Sequence, residues 1–484
     1  MAERKIVIAG AGMGGLAAAL SLSGRADVTV FERRDRAGGK IRARAAGGAL
    51  TDIGPTVLTM TWVFDELFAR AGADFGSELP AERLGVLARH AWRDGSRFDL
   101  LDEDRAAADA VARFAGAAEA QGFDRFLADA RRILSTLRES FLRAPAPSMI
   151  RLMTGAGPVK LLGIDPFSTY ASALKRYFRD PRLLQLFARY ATYCGSSPYK
   201  APATLMLIAA VEKDGVFAPA GGMTSLAEAS ERIASAKGVR FLYHQEVAEV
   251  LVSRGRAAGV RTTNGEDFAA DAVILNADVA AVASGLLGRA VAGAVRPPGA
   301  RSQSAITFLM SARASGFLLD RHNVFFSSDY RAEFDAVFGA GRAPQEPTTY
   351  IWAKTPSADG RQPLFCLVNA PACGARLPAD EIEQTRERMI ADLARCGLAL
   401  DIDDHSAMTP ADFARDYPGT EGAIYGAPSH GWRATFQRSG VRTRVPGLYL
   451  AGGSVHPGPG VPMAALSGMA AATCLMNDFG LTGA

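Results

Sequence analysis

The sequence predicts an α/β chain: a Rossmann-type dinucleotide-binding domain into which an α+β substrate or cap domain is inserted. Three observations predict it. The first 32 residues run strand, glycine-rich turn, helix, strand, acid. Two further short apolar strands, Ala272 to Leu275 and Gly447 to Leu450, lie far along the chain and lead into Asn276 and Gly452. The stretches between them are too long to be connecting loops and carry their own helical and strand patterns. A chain of 484 residues has room for two or three units, each with its own core.

Ile6 to Ala9 is all apolar, as a central parallel strand buried on both faces requires. It runs directly into Gly10, Gly12, Met13, Gly14 and Gly15, then into the alanine-rich stretch Leu16 to Leu20. A second apolar strand, Val28 to Phe31, ends at Glu32, about twenty residues beyond the glycines. Each part has a physical duty. Gly10 permits the tight turn, Gly12 lets backbone approach a pyrophosphate, and Gly15 lets helix and strand pack closely. The helix N-terminus offers free N–H groups and partial positive charge to phosphates. Glu32 can accept hydrogen bonds from a ribose diol, and its charge disfavours a 2′-phosphate and hence NADP. A lone G-x-G-x-x-G is a weak signal in a chain with 50 glycines, but here its whole context is present.

Arg33 to Lys40 follows, and its Gly38-Gly39 pair beside Lys40 suits a second backbone nest for phosphate, or else a solvated basic turn. Gly54, Pro55 and Thr56 then close a further strand end. From about 76 to 215 the apolar spacing turns helical, as in Phe123, Phe126, Leu127, Ile133, Leu134, Leu137 and Phe141. Within it, Arg131 to Leu162 mixes Arg131, Arg132, Arg138, Arg143, Arg151 and Lys160 with large apolar residues, and Pro145 and Pro147 break any single straight helix. This is an ordinary solvated helix pair or a monotopic element that dips into a membrane. Val239 to Tyr243, Gln245 to Val247 and Ala272 to Leu275 return to the nucleotide domain. Strands at Thr307 to Met310, Thr348 to Trp352 and Leu364 to Asn369 predict a second sheet that caps the site. Thr409 to Phe413 reads as a helix start, and Pro418 to Gly426 as a glycine-rich loop that lets a ligand approach the backbone. The expected organisation is a discontinuous nucleotide-binding domain of 1–75, 216–288 and 435–484, a helical substrate or membrane-facing segment of 76–215, and a mixed α+β cap of 289–434.

The C-terminal motif carries the most information. A strand ending in Gly452, Gly453 and Ser454 meets the rigid turn Val455 to Pro462, and Met463 to Leu466 begins a helix. With Gly54, Pro55 and Thr56, this resembles the large FAD-dependent family of glutathione reductase/amine oxidase-like fold that includes amine oxidases, protoporphyrinogen oxidase and carotenoid desaturases. Gly453-Ser454, where many flavoproteins place an acid, and His456-Pro457-Gly458 resemble the carotenoid desaturase (phytoene desaturase-like) branch, along nearly the whole chain. Gly54 to Met60, Val63 to Phe68 and Ala451 to Gly458 resemble the 1-hydroxycarotenoid 3,4-desaturases, the hydroxyneurosporene or methoxyneurosporene desaturases.

The resemblance implies FAD as cofactor, held by Gly10, Gly12, Met13, Gly14, Gly15, Glu32, Arg33, Gly39, Lys40, Gly54, Pro55, Thr56, Val247, Asn276, Gly453, Val461, Pro462 and Met463. It implies that Val247 bonds the adenine through its backbone, and that a helix N-terminus stabilises the reduced flavin. The chemistry implied is hydride transfer from an allylic carbon to flavin N5 with loss of a neighbouring proton, in a long apolar channel. Oxygen or a quinone would accept the electrons. The polyene delocalises developing charge, so no strong base is demanded; His456 and Asp416 are the candidate proton acceptors, with His456 also readable as a hydrogen-bonder within its turn. Phytoene desaturase or another flavin oxidoreductase is the rival activity, and a non-catalytic prenyl-lipid binder of the same fold the rival class.

Composition narrows the context. The net charge of +4 does not suggest a nucleic-acid binder, but tolerates an anionic membrane surface. Cys194, Cys366, Cys373, Cys396 and Cys474 are scattered, with no C-x-x-C pair, and the six histidines are equally dispersed. No metal site or disulfide framework is expected, and a reducing compartment fits. No apolar run reaches the ~18–20 residues of a spanning helix. Met1 to Lys5 with the following apolar run superficially resembles a signal peptide, but its glycines serve the nucleotide turn. The expected location is cytoplasmic, at the periphery of the inner or intracytoplasmic photosynthetic membrane.

Overall fold

The computed structural model describes residues 4–157, 161, 163–372 and 377–481. Met1, Lys160, Leu162 and Cys373, named above, lie outside the described residues. Lys5–Ala9 and Asp27–Phe31 pair in parallel, joined by the helix Met13–Leu22. Ala272–Leu275 adds in parallel to the other side of Lys5–Ala9, with Ile6 opposite Ala272 and Ala9 opposite Leu275. Leu448–Leu450 and Arg240–Leu242 complete a five-stranded parallel sheet. Five strands drawn from three distant stretches thus build one sheet, four of them apolar and largely buried on both faces and Arg240–Leu242 the more exposed edge. The helices Met13–Leu22 and Val461–Phe479 lie against each other, with no room for a side chain at Gly468: a Cβ there would stand 2.1 Å from the Gly14 carbonyl oxygen.

A second sheet of seven strands runs in the order Ala399–Met408, Ser304–Ser315, Arg361–Ala370, Thr349–Ala353, His322–Phe325, Val86–Ala91, Arg97–Leu101. One face, with Ile306, Phe308, Met310, Leu364 and Cys366, is covered by the helix Ala379–Arg395, whose Met389 and Leu393 are buried in the same cluster. The opposite face presents Leu309, Phe365 and Trp352 to Ile53. The strands Ala81–Arg83, Val86–Ala91 and Arg97–Leu101 stand at the start of the segment read as helical. Val86–Ala91 is tied in by the long-range pairing of Asn323 to Phe325 with Arg89 to Ala91, Arg97–Leu101 pairs back on Val86–Ala91, and Ala81–Arg83 pairs with Phe217–Pro219.

Farther on, the helical reading is met by Ala117–Leu137, which buries Phe123, Phe126, Leu127, Ile133 and Leu137. The chain breaks at Pro145 and Pro147, and a new helix starts at Met149, its N-terminus capped by the Ser148 side chain on the Arg151 N–H. Thr409 and Asp412 form a reciprocal capping box that starts Pro410–Asp416.

Candidate active site

A cavity of about 430 Å³ runs between the parallel sheet and the open face of the seven-stranded sheet. At one end the first strand turns at Gly10, whose φ of +103° favours glycine. The glycines are demanded by close backbone contact: a Cβ on Gly15 would sit 2.1 Å from the Gly10 carbonyl oxygen, and one on Gly14 2.6 Å from the Gly452 nitrogen. A Cβ on Gly12 would sit 2.6 Å from the Asn276 side-chain oxygen. Asn276 is therefore a central strut: its Nδ2 donates to the Ala451 carbonyl at 3.0 Å, and its N–H to Ala9 at 2.8 Å. It ties the first and last strands of the site together.

Glu32 is 7% exposed and still holds its carboxylate against the cavity. The Ala11 N–H donates to Oε2 at 2.8 Å and the Arg34 N–H to Oε1 at 3.0 Å, leaving lone pairs on both oxygens. The helices Met13–Leu22 and Val461–Phe479 both start at glycines, Gly12 and Gly460, without a side-chain cap and without an acid in the first turn. Met13, Gly14 and Val461 border the cavity, so two helix N-termini offer it positive potential. Lys40 also borders it; its ammonium donates to the Ile424 carbonyl and lies over the Tyr417 ring, and burial pushes its pKa down against the pull of Asp278.

The cavity gathers Gly10, Gly12, Met13, Gly14, Glu32, Arg33, Gly39, Lys40, Gly54, Pro55, Val247, Asn276, Gly453 and Val461. Gly15, Thr56, Pro462 and Met463 are not among its lining residues. Gly15 lies behind the turn, against Gly10, and Pro462 is buried in the first turn of its helix. Met463 packs between the two larger apolar cores. Thr56 directs its hydroxyl to the Tyr350 phenol, 2.7 Å away.

Both candidate proton acceptors fail on geometry or charge. His456 is fully buried outside the cavity lining, its Nε2 2.8 Å from the Phe141 carbonyl and its ring edge-on to Phe141. Burial lowers its pKa to about 4, so it is a neutral strut that ties its turn to Phe141. Asp416 does border the cavity, but in the company of Arg33, Arg34 and Arg42. Burial pushes its carboxyl up, yet Arg42 at 2.7 Å, with Arg34 and Arg415, more than offsets this and holds it below the usual range. A carboxylate so held is a poor base.

The sequence reading did not single out Thr307, Phe365, Leu367 and Met408, which form the sheet-side wall, or Tyr417; Ile424 and Tyr425 line the cavity from the glycine-rich loop that it expected to meet a ligand. The alternation Phe365, Leu367 on a strand was a usable signal, but which of its two faces met the site was not in the sequence.

The test for a flavin nucleotide is whether the cradle fits one. An acid with free lone pairs, two uncapped helix N-termini, backbone held bare by obligatory glycines and the half-buried Lys40 share one cavity, and this set fits a flavin nucleotide. The chain is 48% identical over 489 residues to a hydroxyneurosporene desaturase of Rubrivivax gelatinosus, covering 98% of this chain and 93% of that protein. It is 41% identical over 485 residues to one of Cereibacter sphaeroides, covering 98% of each. It is also 30% identical over 491 residues to a 1-hydroxycarotenoid 3,4-desaturase of a Flavobacterium, covering 98% of this chain and 99% of that one. Among solved structures, a putrescine oxidase bound to putrescine superposes with a TM-score of 0.63 over 98% of this chain and 99% of its own, at 18% identity, which shows the shared fold. The family model of flavin containing amine oxidoreductases matches residues 13–476, and with a cradle that fits a flavin nucleotide the chain belongs to that family.

Proposed function

We propose that this protein is an FAD-dependent desaturase that introduces the C3–C4 double bond into 1-hydroxycarotenoids such as 1-hydroxyneurosporene, in the carotenoid synthesis of a phototrophic bacterium. The observation that carries the reading is the match along almost the whole chain to hydroxyneurosporene desaturases, joined to a cavity whose sheet-side wall is Thr307, Phe365, Leu367 and Met408, with no titratable group. A wall of this kind suits a polyene and carries no carboxylate for an ammonium to pair with.

On this reading 1–75, 216–288 and 435–484 hold the FAD, while 76–215 and 289–434 supply the substrate side. Glu32 accepts from the adenosine ribose, and Val247 stands at the adenine end. The N-terminus of Met13–Leu22 faces the pyrophosphate, with Gly39 and Lys40 beside it. The N-terminus of Val461–Phe479, with Gly453, stabilises negative charge on the flavin ring. When bound, the flavin supplies a hydride acceptor for the allylic C–H. The chain contributes position and dryness, and the conjugated substrate itself spreads developing charge. Oxygen or a quinone then takes the electrons.

The membrane periphery is the proposed location. On the helix Met149–Ala156, Ile150 is 76% and Met153 49% exposed, and Phe167, 69% exposed, lies edge-on to Trp432. These side chains support contact with the apolar margin of a bilayer from which the substrate comes. Among the described residues no helix is long and apolar enough to cross a membrane.

Anaerobic mixing of the FAD-loaded protein with 1-hydroxyneurosporene tests the activity. Flavin bleaching with a red shift of the polyene bands is expected. Bleaching with phytoene and none with the hydroxylated substrate would make the rival phytoene desaturase the better description.

A further inference from the structure

Resting on that reading, we propose that Thr56 and Tyr350, backed by His322, bind the hydroxyl of the substrate's end group and so set the enzyme's specificity. The tertiary alcohol oxygen is three bonds of roughly 1.5 Å from C3, so it lies within about 4 Å of the reacting carbon. Whatever reads it must stand at the edge of the cavity beside the flavin. Tyr350 stands next to that edge, behind the lining residues. Thr307, Leu367 and Tyr350 lie directly opposite one another on three neighbouring strands, so their side chains share one face of the sheet, and the first two line the cavity. From the other side, Thr56 directly follows Pro55, which lines the same cavity. Tyr350 packs both on the sheet cluster and on the helical cluster, which places it at the junction of cap and helices.

The three side chains form a chain of hydrogen bonds. Thr56 Oγ1 is 2.7 Å from the Tyr350 oxygen, which is 2.7 Å from His322 Nδ1. His322 is 3% exposed and its Nε2 is enclosed without a partner. Burial lowers its pKa to about 3, so the imidazole is neutral and one ring nitrogen donates while the other accepts. With either tautomer every bond in the chain can be satisfied, and switching the tautomer reverses the direction of donation. The Thr56 hydroxyl can therefore present an acceptor or a donor to a ligand. An alcohol is both donor and acceptor, and an ether only an acceptor, so this terminus accommodates either end group and has nothing to satisfy it in a pure hydrocarbon end. A buried polar group left unpaired by a ligand is how a site rejects the analogue that lacks the hydroxyl.

The decisive measurement is affinity in FAD-loaded enzyme that has been reduced beforehand, so that no turnover occurs. Binding of 1-hydroxyneurosporene and of neurosporene, which lacks the hydroxyl, is followed through the polyene absorption. Thr56→Val and Tyr350→Phe are expected to weaken the hydroxylated ligand about tenfold and to leave neurosporene unchanged. Thr56→Ser should restore wild-type discrimination, and Thr307→Val should leave it intact. Equal losses for both ligands would reduce the trio to a structural role, and lost discrimination in Thr307→Val alone would assign the reading to Thr307. Either result overturns the proposal. A wild-type enzyme that neither binds nor desaturates the hydroxylated polyene would instead remove the functional reading beneath it, and that shows before any variant is made.

Discussion

At the scale of single residues, the site is set by which atoms are allowed to be absent. Gly12 is bare because the Asn276 amide occupies the place its Cβ would take, so a motif glycine is fixed by a side chain 264 positions away. Glu32→Gln loses the charge that accepts from a ribose and turns an NH2 toward the Ala11 or Arg34 N–H; FAD affinity should fall about 10- to 100-fold, and the apoprotein should melt somewhat lower. Equilibrium dialysis with FAD checks it. Glu333 gives a pH signature. Burial raises its carboxyl from 4.5 to about 7, against hydrogen bonds from the Thr348 N–H and the Asn369 side chain. Its folded pKa lies above its unfolded one, so the folded state binds the proton more tightly. Its contribution is present in full below pH 4.5 and is lost as pH rises through about 7. Urea unfolding between pH 4.5 and 8 should show wild type losing stability with rising pH relative to Glu333→Gln.

At the scale of elements, two helix N-termini converge because the helices that own them lie almost backbone to backbone. Gly468 sits on Gly14, and a Cβ there would strike the carbonyl oxygen of Gly14 at 2.1 Å. Gly468→Ala must push the two helices apart, at a cost of about 1–3 kcal/mol. Differential scanning calorimetry should record a lower melting temperature, and the FAD should leave faster because both N-termini shift. The elements also show what local pattern can carry. The capping box of Thr409 and Asp412, the amphipathic run through Phe123 and Leu137, and the break at Pro145 and Pro147 were legible because they depend on neighbours within a few residues. The place of Val86–Ala91 in the large sheet was not, because His322–Phe325, far along the chain, ties it in, while Arg97–Leu101 pairs back on Val86–Ala91 across a short connection.

At the scale of the whole molecule, the exposed apolar side chains and the charges of the 131–151 stretch part company. Arg131 pairs with Asp104, Arg132 with Asp129 and Arg143 with Glu66, while Arg138 and Arg143 also lie over the Trp62 ring. The basic face counted from the sequence is largely neutralised, so the proposed membrane contact rests on the exposed Ile150, Met153 and Phe167. Ile150→Asp with Met153→Asp should therefore cut co-sedimentation with phosphatidylglycerol vesicles severalfold, with the soluble fold unchanged by circular dichroism; raised salt should weaken the wild type only slightly.

The sequence by itself determined the nucleotide half of this protein. Its turn, its acid and its helix lie within 32 consecutive residues, and the steric demand at Gly15, against Gly10, is local. It also determined the branch of the family, through short motifs that survive as strings. The tertiary structure alone decided which chemistry surrounds the cavity. Asp416 became a locked anion because Arg34 and Arg42, far along the chain, join its neighbour Arg415 around it, His456 became a strut because Phe141 meets it, and Thr56 met Tyr350 and His322 only once its loop packed against the strands that carry them. Ionisation and hydrogen-bond partners depend on distance in space, and spacing along the chain does not encode it.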